Sequence, residues 1–194
     1  MMRRIATLAL AGVLLAGMSV GLPAARAGGG TSCTITGTNG DDQLRGTPRR
    51  DVICGLGGDD RILARGGNDL VRGGAGRDRI WGGSGHDTVT GQGGRDLIHG
   101  GRGNDRLKGG ALKDRIEGEG GEDSIRGGNG RDRLIGNQAD DRIKGGPNND
   151  KLRGNVGDDT LDARDGSGGD TVEGMEGSDI CPADAGDTVT GCEA

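Results

Sequence analysis

The chain has 194 residues, with 46 glycines, a single Trp, no Phe or Tyr, and a formal net charge of −5. So little apolar mass set against 28% charged residues excludes an ordinary packed core, and by composition alone it describes a disordered chain. The acidic balance also argues against a wholesale nucleic-acid binder, which would be basic.

In chain order, residues 1–27 come first: Arg3 and Arg4, an apolar stretch from Ile5 to Leu22, and the small-x-small sequence Ala25-Arg26-Ala27. This is the pattern of a secretory signal peptide, expected to be cleaved after Ala27, and it points to a secreted, extracellular protein. No later stretch is long and apolar enough to span a bilayer, so no membrane span is expected after cleavage. Residues 28–36 then form an N-terminal cap segment, 37–189 carry a repeat, and 190–194 are a C-terminal tail. The four cysteines, Cys33, Cys54, Cys181 and Cys192, are an even number in an exported chain and read as two disulfides. Two lie near each end, so pairing of Cys33 with Cys54 and of Cys181 with Cys192 is favoured where the body between them is long and rigid. Zinc ligation is the weaker alternative, because no CxxC spacing exists and His86 and His99 lie far away in sequence.

From residue 37 the composition resolves into a period of nine. Aspartate recurs at 42, 51, 60, 69, 78, 87, 96, 105, 114, 123, 132, 141, 150 and 159 without a miss, and an aliphatic follows each two residues later, from Leu44 and Ile53 to Leu152 and Leu161. The register slips by two to Asp170 and Val172, resumes at Asp179, and slips again to Asp187 and Val189. Four units read GGxGxD in full, ending at Asp78, Asp87, Asp105 and Asp132. Each glycine cluster predicts a tight turn. The three residues after each Asp predict a very short strand with its middle side chain inward.

One such unit buries nothing alone. Two units, eighteen residues, close a flattened coil with a strand on each face, and stacked coils hydrogen-bond at about 4.8 Å spacing. The fold expected is all-β, a solenoid of about 17 nonapeptide units in about eight coils with disulfide-capped ends, roughly 40 Å long by that spacing. Aspartates two units apart then stack along one edge, where like carboxylates about 5 Å apart cost on the order of 1 kcal/mol per pair. Something positive must offset them. Carboxylates joined by the carbonyls of glycine turns, with no nitrogen or sulfur, suit a hard cation with many oxygen ligands, and calcium fits better than magnesium.

These units resemble the hemolysin-type calcium-binding repeat, the RTX nonapeptide GGxGxDxUx with U aliphatic, over about residues 37–189. The chain looks like a small, secreted, repeat-only member. The resemblance implies a parallel β-roll that binds multiple Ca²⁺ between successive turns. It assigns the metal carboxylates to Asp42, Asp60, Asp78, Asp96 and Asp132 on one edge, and to Asp69, Asp87, Asp105, Asp123 and Asp159 on the other. It adds backbone carbonyls of Gly55, Gly73, Gly74, Gly76, Gly82, Gly83, Gly85, Gly100, Gly101 and Gly103. Several units depart from the pattern: Arg49, Leu112, Ala139 and Asn148 replace the glycine two before the Asp. Leu and Ala resist the left-handed conformation, so calcium is not expected beside Leu112 and Ala139. The arginines directly after ladder aspartates, such as Arg61, Arg79, Arg115 and Arg133, read as a solvated strand face that offsets carboxylate repulsion. The acidic end beyond residue 155 reads as a soluble cap.

No enzyme is expected. No HExxH or GxSxG occurs, Ser84 and Ser167 sit in Gly-Ser-Gly, and only about nine residues separate the leader from the first repeat. His86, His99 and Trp81 read as surface residues. The leading reading is a secreted calcium-binding roll that folds and stiffens on binding Ca²⁺. The alternative is a surface or matrix adhesin that uses the stiffened rod as a scaffold for an unidentified cell-surface or polysaccharide ligand, with no nucleic-acid partner.

Overall fold

The computed structural model describes residues 32–193, and the leader expected over 1–27 lies outside them. Each ladder aspartate except Asp179, which is followed by an isolated bridge at Ile180, is followed directly by a strand, because the aliphatic two places on favours extended backbone when it can bury its side chain. Among the described residues this produces seventeen strands, from Ile35–Thr36 to Thr188–Thr190, and no helix. Strands alternate between an eight-stranded and a nine-stranded sheet as far as Thr171–Glu176, so that neighbours within a sheet are every second strand, and the last strand, Thr188–Thr190, pairs directly with Thr171–Glu176 in the nine-stranded sheet. All pairings are parallel, with Ile53 opposite Val71, Val71 opposite Val89 and Val89 opposite Leu107. The chain is thus the parallel β-solenoid expected, an eighteen-residue coil stacked about nine times.

Two inward positions per strand build the interior. Arg61–Gly66 buries only Ile62 and Ala64, and Leu97–Arg102 buries Ile98 and Gly100. The aliphatics form two facing columns, one through Ile53, Val71, Val89, Leu107, Ile125, Ile143 and Leu161, the other through Ile62, Ile80, Ile98, Ile116, Leu134, Leu152 and Val172, each no more than 2% exposed. Because every coil touches only the coils above and below, stability is close to a sum of nearest-neighbour terms. Ile98→Ala, in the middle of its column, is expected to cost about 3 kcal/mol through lost transfer energy and an unfilled cavity. Chemical denaturation in the presence of calcium measures this, with exposed Leu56→Ala, at a residue 46% exposed, as the near-neutral comparison.

The strands differ from expectation in length. Most run six residues rather than three, because pairing continues through the glycines, with Gly83 opposite Gly101 and Ser84 opposite Arg102. The first glycine of each cluster is therefore a buried strand residue and not a turn residue. The register slips expected near the C-terminus are real: Lys151 lies opposite Thr171 twenty residues on, and Thr171 opposite Thr188 seventeen on. The two extra residues bulge out around Asp165, whose Oδ2 accepts from the Asn148 amide at 2.9 Å while Oδ1 accepts from the Ser167 amide and hydroxyl at 2.7 Å.

Both disulfides form as expected, Cys33–Cys54 and Cys181–Cys192, with Cα separations of 6.0 and 5.9 Å. Each staples one end of the stack. The cap and tail segments join it too, since Ile35 pairs with Ile53 and Glu193 bridges Ile180.

Candidate metal centre

The ladder aspartates point into the solenoid. From Asp60 to Asp179 they are at most 3% exposed, each tucked beneath the loop that links its strand to the preceding one. One oxygen has a built-in partner. Oδ1 of Asp78 accepts from the Asp60 amide at 3.0 Å, Oδ1 of Asp96 from the Asp78 amide at 2.9 Å, and Oδ1 of Asp105 from the Asp87 amide at 2.7 Å. The bonds continue up both edges and survive the register slip, where Asp150 and Asp159 donate to Asp170 and Asp179. The charge offset expected from the arginines is supplied instead by these amides, because no arginine forms an ion pair with a ladder aspartate among the described residues.

The other oxygen has none. Oδ2 of fourteen aspartates, 60, 69, 78, 87, 96, 105, 114, 123, 132, 141, 150, 159, 170 and 179, is buried without a hydrogen-bond donor. Leaving an ionised oxygen in this state carries a large desolvation cost. That cost shows in the acidities: burial, reinforced by neighbouring carboxylates and opposed by the amide bond, raises Asp78 to about 6, Asp105 to about 7, and Asp114, Asp141 and Asp150 to about 8.

Oδ2 lies against the glycine five residues before it. A Cβ on Gly82 would come 2.7 Å from Oδ2 of Asp87, and one on Gly100 would come 2.6 Å from Oδ2 of Asp105. This explains a column the Asp-centred reading missed. Position Asp−5 is glycine in thirteen of the fourteen regular units, from Gly37 to Gly154, with Ala64 the exception. It is a more regular signal than the glycine two before the Asp. Gly55, Gly73, Gly82 and Gly100 belong to this column.

Gly74, Gly76, Gly83, Gly85, Gly101 and Gly103 do a different job, with φ between 110° and 130°. In the loops before Asp60 through Asp159 the residues four and two before the Asp are left-handed, which turns their carbonyls along the stack. Gly58 O meets Gly76, Gly76 O meets Gly94, and Leu56 O meets Gly74, all closely enough that a Cβ there would overlap. The assigned site glycines therefore fall into two sets, one making room for the carboxylate and one aiming carbonyls between coils.

Three of the four departures do not interrupt this geometry, whereas Arg49 is not left-handed and lies in a loop whose Asp51 has its own donors. Leu112, Ala139 and Asn148 adopt φ of 74°, 73° and 83°, and Oδ2 of Asp114, Asp141 and Asp150 is orphaned like the rest. The left-handed state costs a non-glycine residue about 1–2 kcal/mol, and the coils on either side hold the loop in register. Leu56, Arg65, Gln92 and Glu119 pay the same strain at the position four before the Asp, with φ of 78–84°.

The ends are different. Oδ2 of Asp42 accepts from the Thr38 amide at 2.5 Å and its hydroxyl at 3.0 Å, and Oδ2 of Asp51 from the Thr47 amide at 2.7 Å and hydroxyl at 2.9 Å. At the far end Asp187 accepts from the amides of Gly169, Asp170 and Asp184. Protein donors thus satisfy the first and last carboxylates, and the orphaned oxygens are confined between them. Away from both rows, His99, Glu117 and Glu119 bring ligand atoms within 4.8 Å of one another on the nine-stranded face, but Arg115 already holds Glu117 at 2.6 Å. His99 stacks on Trp81 with centroids 5.7 Å apart.

Buried anionic oxygens in two rows, with inter-coil carbonyls and no nitrogen or sulfur donor, fit calcium. Oδ2 of Asp60 to Asp179 and the carbonyls four and two residues before each would hold it. Comparison with curated proteins returns no match. The family model for the RTX calcium-binding nonapeptide repeat (4 copies) matches eight overlapping segments that together run from residue 36 to 189. With that match over most of its length, the chain belongs to the RTX calcium-binding nonapeptide repeat family.

Proposed function

We propose that this is a secreted, non-catalytic protein whose β-roll is ordered and stiffened by calcium ions bound between successive turns on both edges. The observation that carries the reading is the double row of fourteen buried carboxylate oxygens without donors, which a cation would satisfy and water cannot reach. Export is supported by the leader pattern over 1–27 and by the two disulfides, which persist in an oxidising compartment. Calcium is abundant outside the cell, so a chain that crosses the membrane unfolded would order itself there.

Calorimetric titration of the cleaved chain with calcium tests this. Asp78→Asn and Asp105→Asn keep the Oδ1 acceptor and replace the orphaned oxygen by an amide. Each is expected to lower the stoichiometry by about two ions, since every ladder carboxylate lies between two turns. Absence of binding heat, or an unchanged ion count in both variants, would overturn the assignment.

A further inference from the structure

The two edges of the rod are not equivalent. On the edge of Asp78, Asp96, Asp114 and Asp132, the residue before each aspartate is Arg77, Arg95, Lys113 and Arg131, all exposed. The residue after is basic as well at Arg115, Arg133 and Lys151, also exposed. On the opposite edge the positions before Asp69 to Asp159 are Asn68, His86, Asn104, Glu122, Asp140 and Asp158, which carry no fixed positive charge, and only Arg50, before Asp51, is basic. Solvation of strand faces, which Arg106 and Arg142 serve on that side too, does not explain a basic residue before the aspartate in four consecutive coils of one edge.

The basic residues line a groove of about 860 Å³ that runs along the stack to Asn149 and Thr171. Among the described residues only Arg115 of these seven cations forms an ion pair. Parallel coils repeat at about 4.8 Å, so the groove presents two rows of cations at that interval on a rigid support. Clustered, unpaired charge in a concave surface concentrates a field that recruits anions.

We propose that this edge binds a linear acidic polysaccharide, laid along the rod with its carboxylate or sulfate groups between the two cationic rows. A repeating polymer suits a repeating groove, and each coil adds one more weak contact to a multivalent total. Single-stranded nucleic acid fits less well, because its sequence-tolerant binding relies on aromatic side chains that stack bases. The single Trp, Trp81, is engaged on the nine-stranded face between Arg61 and His99, and no aromatic lines the groove. The inference rests on the calcium-ordered roll proposed above, since the groove exists only where the coils are stacked, but its cations are separate from the metal ligands.

The test is binding of the calcium-loaded protein to immobilised polygalacturonate and to dextran sulfate, with single-stranded and duplex DNA as competitors. Arg77→Gln, Arg95→Gln, Lys113→Gln and Arg131→Gln combined are expected to weaken binding at least tenfold and to flatten its salt dependence. The control removes as many charges from the eight-stranded face, by Arg106→Gln, Lys108→Gln, Arg126→Gln and Arg142→Gln, and is expected to change binding less than threefold. Circular dichroism and calcium stoichiometry establish that both variants are folded, which separates failure here from failure of the calcium reading. Preference between the two polymers identifies carboxylate or sulfate as the recognised group. No binding to either polymer, equal loss in both variants, or displacement by DNA with the same sensitivity to the groove substitutions would overturn the proposal.

Discussion

Removal of divalent cations is expected to cost the protein most of its β structure, seen as a shift of the far-ultraviolet circular dichroism spectrum toward that of an unordered chain, and addition of millimolar calcium to restore it. The core is thin, one aliphatic per nine residues in two columns only one side chain deep. Against it stand seven orphaned carboxylate oxygens on each edge, stacked at about 4.8 Å, where each neighbouring pair repels by about 1 kcal/mol at the dielectric of water and roughly 3 at an effective value near 20. A cation between coils turns each repulsion into an attraction, and binding to the folded state alone adds about 2.7 kcal/mol per site at a hundredfold excess over the dissociation constant. The disulfides cannot substitute, because each closes a local loop at one end and leaves the carboxylates of the intervening coils unneutralised. An unchanged spectrum in chelator would show that the core suffices without metal.

Acid is expected to act oppositely on the metal-free and calcium-loaded protein. In the folded, metal-free chain burial lifts Asp69, Asp96, Asp123 and Asp159 to about 6, Asp105 to about 7 and Asp114, Asp141 and Asp150 to about 8, against 3.8 for an unperturbed group. A raised folded value means that the folded state holds more protons. The resulting stabilisation is fully present below about pH 4 and is lost as pH rises through about 6 to 8. A protonated Oδ2 needs no cation, and its hydroxyl can donate to a carbonyl. Metal-free protein, largely unordered at about pH 8, should therefore recover β structure at about pH 5. With calcium the order reverses, because the ion requires deprotonated ligands and protons compete for them. Far-ultraviolet circular dichroism at both pH values, with and without calcium, measures this. A β content of the metal-free protein that rises with pH would contradict it.

Much of this was legible in the spacing of residues. A period of nine with one Asp and one aliphatic admits few solutions, because a three-residue hydrophobic pattern buries itself only by stacking, and eighteen residues is the shortest flattened coil. The coil, the two aliphatic columns and the terminal disulfides followed from that. Other features were not legible. Leu112 and Ala139 looked incompatible with a left-handed loop on local preference, yet neighbouring coils impose the conformation at a cost the stack absorbs. Gly82 and Gly100 looked like turn residues because glycine clusters usually are, and only the folded coil places a carboxylate oxygen in the space their missing Cβ leaves. Asp42 holds the same ladder position as Asp78, but Thr38 satisfies its second oxygen.

The sequence by itself determined the architecture and the class of ion, since both depend on which residue types recur and how often, and a strict repeat converts composition directly into stacked columns. Only the tertiary structure decided that the aspartates face inward, which of their oxygens the backbone satisfies, and that the cations of the strand flanks gather into one groove. Those outcomes depend on which loop closes over which carboxylate and on how flanking side chains lie relative to one another in space, and the spacing of residues along the chain fixes neither.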